Sequence, residues 1–228
     1  MKRKAVVLLS GGLDSTVCMA VADSEGYELL PISFNYHQRH KRELAAAASV
    51  AQHYNVDRHL IIETNMDAIG GSALTDPKLA VPEGDTGAAA VPITYVPARN
   101  LIFLSYALGY AEVTGAEQVY IGVNALDYSG YPDCRPEFIA MFQQLANYST
   151  KATAEDGRKI IIETPLIALS KKDIVLLGDK LAAPLHLTTS CYQGQDAACG
   201  QCDSCLLRLK GFAEAGLKDP ILYHTRSE

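Results

Sequence analysis

Apolar and polar positions fall in blocks along the chain, and the blocks predict a repeating strand–helix order. Residues 5–9, AVVLL, form an unbroken apolar run of strand length before the polar Ser10 and two glycines, the pattern of a strand buried on both faces. Apolar positions then recur at helical spacing at Val17, Cys18, Val21 and Ala22, which predicts a helix over 15–25 stopped at Gly26. Further strands are predicted over 29–34, 59–62, 118–123 and 159–163, and helices over 41–54, 100–114 and 136–148, the last with Pro136 in its first turn. Residues 65–94 are rich in Gly, Pro, Asp and Ala without a firm period and predict a long loop. Ser170 and Asp173 have the hydroxyl-then-acid spacing of a capped helix start.

Strands separated by helices predict parallel βαβ units, so the fold class is α/β: a Rossmann-like, doubly wound, mainly parallel five-stranded sheet. A boundary near residue 168 separates this domain, 1–168, from a small helical, cysteine-rich C-terminal segment, 169–228. Ligands of such sheets bind beyond the carboxyl ends of the strands. Segments 10–15, 33–37 and 124–133 all follow strands and are expected at that edge.

Composition narrows the class. With 228 residues, 48% hydrophobic and 20% charged, the chain is neither disordered nor a repeat array. Its net charge of −6 gives no general attraction to nucleic acid or to an anionic membrane. No apolar run approaches the roughly 20 residues of a membrane helix. The basic start, Lys2-Arg3-Lys4, is followed by only five apolar residues, too few for a secretory leader. A cytoplasmic protein is expected, with neither membrane nor nucleic acid as partner.

The candidate chemistry starts at Ser10-Gly11-Gly12-Leu13-Asp14-Ser15. The glycines allow a tight turn and close approach of a ligand, and the following helix offers unpaired N–H groups and a positive dipole end to phosphate. Asp14 would repel a bare phosphate but fits a Mg²⁺ bridging carboxylate and phosphate. The alternative is a plain strand-to-helix turn. Near the other end, Cys191, Cys199, Cys202 and Cys205 are spaced Cys-x7-Cys-x2-Cys-x2-Cys. Four thiolates complete a closed tetrahedral Zn²⁺ site with a structural role, disulfides and an iron–sulfur cluster being the alternatives. Cys18 is expected in the core. Segment 122–138 is dense in aromatic, acidic and basic groups. There Tyr128 or Tyr131 could stack on a planar ring, Asp127, Asp133 or Glu137 could accept from the N–H edge of a guanine-like base, and Arg135 could pair with a carboxylate. A polar loop ahead of a helix is the alternative for each.

The loop is neither a Walker A motif nor Gly-x-Gly-x-x-Gly. It resembles the PP-loop of the ATP pyrophosphatase superfamily, whose members bind ATP there and release pyrophosphate. The resemblance implies that Leu8, Leu9, Ser10, Gly11, Gly12, Leu13, Asp14 and Ser15 hold ATP, with Asp14 near Mg²⁺ and Asp14 and Ser15 in the catalytic set. The wider set resembles the QueC family of 7-cyano-7-deazaguanine synthases in queuosine biosynthesis. It comprises the SGGLDS loop, Tyr36-His37-Gln38-Arg39-His40, Val96-Pro97-Ala98-Arg99-Asn100, the GVNALDYSGYPDCRPEF segment and the four cysteines, and the resemblance runs from Lys4 to about Pro220.

That resemblance implies an ATP-dependent carbon–nitrogen ligase. It adenylates 7-carboxy-7-deazaguanine, ammonia displaces AMP to give an amide, and a second adenylation on the amide oxygen leaves the nitrile. It also implies one structural Zn²⁺ per chain, a homodimer and, with no glutaminase domain, free ammonium as the nitrogen source. Arg99 is expected on the ATP phosphates, or else as an exposed helix-start arginine. His37, His40, Lys171 and Lys172 could approach the nucleotide or could be solvated loop and helix-start residues. Two competing readings are a tRNA-modifying PP-loop enzyme, which would want a basic face, and a zinc-stabilised binding module with a nucleotide-sensing front half.

Overall fold

The computed structural model describes residues 2–38, 42–82, 91–126, 130–193 and 197–224. Its strands are β1 (Lys4–Leu8), β2 (Glu28–Asn35), β3 (Leu60–Glu63), β4 (Gln118–Tyr120) and β5 (Ile161–Glu163). The helices are α1 (Leu13–Ser24), α2 (Arg42–His53), α3 (Arg99–Thr114), α4 (Pro136–Ser149), α5 (Lys151–Asp156), α6 (Lys171–Lys180) and α7 (Asp203–Glu214). All strand pairs are parallel and the order is β3-β2-β1-β4-β5. The chain moves outward from β1 to β2 and β3, then crosses back to lay β4 on the other side of β1. The order therefore reverses at β1, and the crevice beyond its carboxyl end is where such a sheet takes a ligand.

The apolar run of β1 serves two cores by simple alternation. Val6 and Leu8 join Leu30, Ile32 and Phe34 under α3 and α4. Ala5, Val7 and Leu9 join the buried faces of α1 and α2 on the opposite side. Helix α3 contributes Leu104, Ala107, Leu108 and Ala111, all buried and spaced as one helical face. Residues beyond 168 enter the second core directly: Ile174, Val175, Leu185 and Phe212 cluster with Val7 and Val17. The cysteines form a third, small cluster with Ala198.

The expected strands and helices are present, with shifted ends and one addition. Strand β4 stops at Tyr120 rather than at 123. Past it, Gly122 passes so close to the start of α1 that an added Cβ would lie 3.0 Å from the Asp14 carbonyl. Helix α5 follows α4 after a single residue, Thr150, whose side chain accepts from the Thr153 N–H, and Gly157 closes it in a left-handed conformation. Its signals were this cap and this glycine. The capping box at Ser170 and Asp173 forms as expected. No helix among the described residues is long and apolar enough to cross a membrane.

Leu104 is fully enclosed between sheet and α3. Leu104→Ala is expected to cost about 2–5 kcal/mol, read as a lower urea midpoint by circular dichroism with an unchanged slope.

Candidate active site

The loop after β1 is tied largely to itself. The Ser15 hydroxyl donates to the Gly12 carbonyl at 3.1 Å, accepts from the Ser10 N–H at 3.2 Å and lies 3.0 Å from the Ser10 hydroxyl. The Gly12 N–H donates to Ser10 Oγ at 3.2 Å. Helix α1 then begins without a side-chain cap. The first turn, Leu13, Asp14 and Ser15, borders a cavity of about 250 Å³, so its N–H groups and dipole end face a space suited to an anion.

Two close approaches fix the loop. Gly11 has φ +85°, and an added Cβ would lie 2.3 Å from the Glu43 carbonyl and 2.6 Å from the Ala47 nitrogen of α2. The Gly11 carbonyl in turn accepts from the Thr189 N–H at 3.0 Å. The segment just before Cys191 is thus bonded to the loop, and Thr189, Ser190 and Tyr192 line the same cavity.

Lys171, at the start of α6, is buried, and its Nζ donates to both carboxylate oxygens of Asp14 at 2.7 and 2.9 Å. Helix α7 packs flush on the lysine stem: a Cβ at Gly211 would sit 2.4 Å from Lys171 Cγ. No local pattern at 171 signals this, because Gly211 lies forty residues away. Lys172 is exposed.

Arg99 also lines the cavity, close to the Tyr36 phenol. Its backbone is aimed by Ala98, which takes a left-handed conformation at φ +56° and donates its N–H to the Tyr95 hydroxyl at 3.0 Å, a strained geometry for a residue with a Cβ. Glu43, from the first turn of α2, lines the cavity beside Arg99. Burial pushes its carboxyl up to about 7, against the opposing pull of Arg99. Sequence reasoning missed Glu43, Thr189 and Ser190. The signal for Glu43 was its place one turn into the helix after the Tyr36 motif.

The expected base-contacting residues separate. Tyr131 lines the cavity, and its hydroxyl lies 2.8 Å from that of Thr94. Asp133 is buried and turned to α3, accepting from the Asn100 N–H at 2.9 Å, which caps a helix that otherwise lacks a cap. Arg135 and Glu137 are exposed at the start of α4 and do not border the cavity. Asp127, Tyr128 and His40 lie outside the described residues. His37 is exposed and 3.1 Å from Asp67, also away from the cavity. Cys134 lines the cavity, but burial pushes its thiol up to about 12 and Asp133 adds to this, which disfavours the nucleophilic thiolate.

The four terminal cysteines come together. Their sulfurs all lie within 4.8 Å of one another, and none of the six cysteines of the chain forms a disulfide. Backbone N–H groups of Gln193 and Cys199 donate to Cys191 Sγ, each at 3.3 Å, and those of Gln201 and Cys202 to Cys199 Sγ, each at 3.4 Å. Donors around sulfur suit thiolates, so the set fits one tetrahedral metal ion. Beneath it Arg208 is enclosed and doubly bonded to Asp219 at 2.8 and 2.9 Å, and it also donates to Thr188 Oγ1 at 2.7 Å.

Residues 4–216 match the family described as Queuosine biosynthesis protein QueC. The chain is similar to 7-cyano-7-deazaguanine synthase 2 of Desulfitobacterium hafniense (strain Y51), 59% identical over 97% of this chain and 93% of that one. It is 56% identical to the 7-cyano-7-deazaguanine synthase of Acetivibrio thermocellus, over 99% of this chain and 100% of that one. In fold it is similar to an NMN synthetase from Francisella tularensis, with TM-score 0.52 and 18% identity over 95% of this chain and 79% of that one.

A side chain at Gly11 would collide with α2 backbone. Gly11→Ala is expected to weaken binding of a non-hydrolysable ATP analogue at least tenfold, about 1.4 kcal/mol, by isothermal titration calorimetry.

Proposed function

The chain belongs to the QueC family of queuosine biosynthesis, and from that membership we propose how its site makes 7-cyano-7-deazaguanine. It is an ATP-dependent synthetase that forms this nitrile. In our reading the substrates are 7-carboxy-7-deazaguanine, ATP and ammonia, and the reaction passes through an adenylated acid, an amide and an adenylated amide. The observation that carries the reading is the uncapped start of α1 at the strand ends, bordered by the Asp14–Lys171 pair.

Oxygen leaves a carboxylate or an amide only after activation, and transfer of AMP onto that oxygen makes it a leaving group. Negative charge then collects on the departing pyrophosphate. The N–H groups of Leu13, Asp14 and Ser15 meet that charge at the cavity they border. We assign ATP binding to 8–15 and Arg99, with Asp14 and Ser15 catalytic alongside Arg99. Asp14 would hold Mg²⁺, which neutralises phosphate charge when bound. Lys171 keeps the Asp14 carboxylate oriented and brings a second cation to the phosphates.

We place the deazaguanine beside Tyr131, with Asp133 supporting that wall through its cap on α3 and Asp127 completing the substrate set; Arg135 and Glu137, exposed and off the cavity, are left out of it. Residues 1–168 serve ATP and substrate. Residues 169–228 hold the metal and reach back through Lys171 and Thr189. Cys191, Cys199, Cys202 and Cys205 would hold Zn²⁺, whose closed four-sulfur site leaves no position for substrate and supplies a crosslink for the tail. The assembly is a cytoplasmic homodimer in this reading, and the exposed stripe Met141, Leu145 and Tyr148 on α4 is a face that a second copy would cover.

Protein mixed with ATP, Mg²⁺, ammonium and 7-carboxy-7-deazaguanine is expected to yield the nitrile with AMP and pyrophosphate by mass spectrometry. An unchanged deazaguanine with intact ATP would overturn the assignment. Lys171→Met is expected to lower kcat about 100-fold or more while the thermal transition persists. Native mass spectrometry is expected to find two chains with two zinc ions. Cys205→Ser should remove the metal and lower the melting temperature, and Met141→Glu with Leu145→Glu should give metal-loaded single chains.

A further inference from the structure

Ammonia is almost entirely ammonium near neutral pH and must lose a proton before its nitrogen can attack. The cavity holds few groups able to take one. Among the described residues that line it there is no histidine, and only two side chains carry a carboxyl, Asp14 and Glu43. Asp14 is held on both oxygens by Lys171. The Cys134 thiol and the Tyr36 phenol are both pushed up by burial and are not bases at neutral pH.

We propose that Glu43 is the general base that deprotonates ammonium for amide formation, a role that rests on the synthetase reading above. Its carboxylate accepts one proton from bound NH₄⁺, giving NH₃ and a neutral carboxyl. The nitrogen lone pair then attacks the acyl-adenylate carbonyl, a C–N bond forms, and the C–O bond to AMP breaks with its electron pair leaving on AMP. The surplus N–H proton passes to water, and Glu43 returns its own proton to solvent before the next turnover.

The surroundings suit this role. Among the described residues, the charged and titratable groups facing Glu43 are Arg99 from α3 and Tyr36, just past the end of β2. Across the same cavity stand Asp14 with Lys171, and Arg208, whose guanidinium is saturated by Asp219, Thr188, Ser190 and Leu185. Burial outweighs the pull of Arg99 and sets the carboxyl to about 7, where a base both accepts a proton and returns it readily. The α2 backbone at Glu43 packs against Gly11, so the base is built onto the phosphate loop and lines the same cavity as that loop.

The test compares Glu43→Gln with the unaltered enzyme using two nitrogen nucleophiles. Hydroxylamine is largely neutral at the assay pH and needs no base. The variant is expected to lose about 100-fold or more in kcat/KM for ammonium, while hydroxamate formation and ATP–pyrophosphate exchange stay within threefold. With ammonium, the unaltered enzyme's rate should rise with pH as the carboxylate forms and level off above about 7. The variant's rate should keep climbing with free ammonia. Equal losses with both nucleophiles, or an unaltered enzyme whose rate simply tracks free ammonia, would overturn the proposal. Absence of pyrophosphate exchange in the unaltered enzyme would instead sink the adenylation reading. The unaltered enzyme's pH profile decides the matter even where the variant fails to fold.

Discussion

Everything in the site is gauged from the contact between Gly11 and the α2 backbone. The loop and the helix meet with no room for one carbon atom at Gly11. That contact sets α2 against the end of β1, brings Glu43 to the cavity wall and leaves the Gly11 carbonyl turned toward Thr189. Gly122, just past β4, makes a similar close approach to the start of α1. The phosphate loop is thereby wedged between two strands, a helix and the tail. A loop held so firmly keeps its N–H groups pointed at an anion before the anion arrives, which is the condition for strong electrostatic stabilisation.

Buried charge links the tail to that loop. Lys171 reaches Asp14 from α6, and α7 presses its stem into place at Gly211. Arg208 on α7 pairs with Asp219 and bonds Thr188, next to the residue that holds Gly11. Pairs of this kind contribute little net stability, since desolvation offsets the attraction, but removing one partner strands the other. Their value here is register. Cys191 follows Ser190 directly, so a metal ion held by the four sulfurs would anchor the segment that grips the loop.

The polar groups around the cavity divide their tasks by environment. Asp133, expected as a base reader, accepts from the Asn100 N–H and so caps α3. Both oxygens of Asp14 accept from Lys171, whereas Glu43 is left to burial and a single arginine. One cavity is thus lined by two carboxyls with different partners, one paired with a lysine and one set by burial.

The sequence by itself determined the parallel α/β sheet, because strand and helix periods differ and each apolar run was long enough to reveal its period. It also determined the loop and the cysteine set, since both are short-range spacings that physics reads locally. Helix α5 escaped because a six-residue helix has little apolar periodicity, although Thr150 and Gly157 marked its ends. What only the tertiary structure decided were the pairings across long separations. Lys171 meets Asp14 across 157 positions, Thr189 meets Gly11, and Glu43 meets Arg99. A charged residue at a helix start reads the same in sequence whether it faces water or a cavity. Only the packing of another element over it removes the water, and that removal is what turns an ordinary lysine or glutamate into a working one.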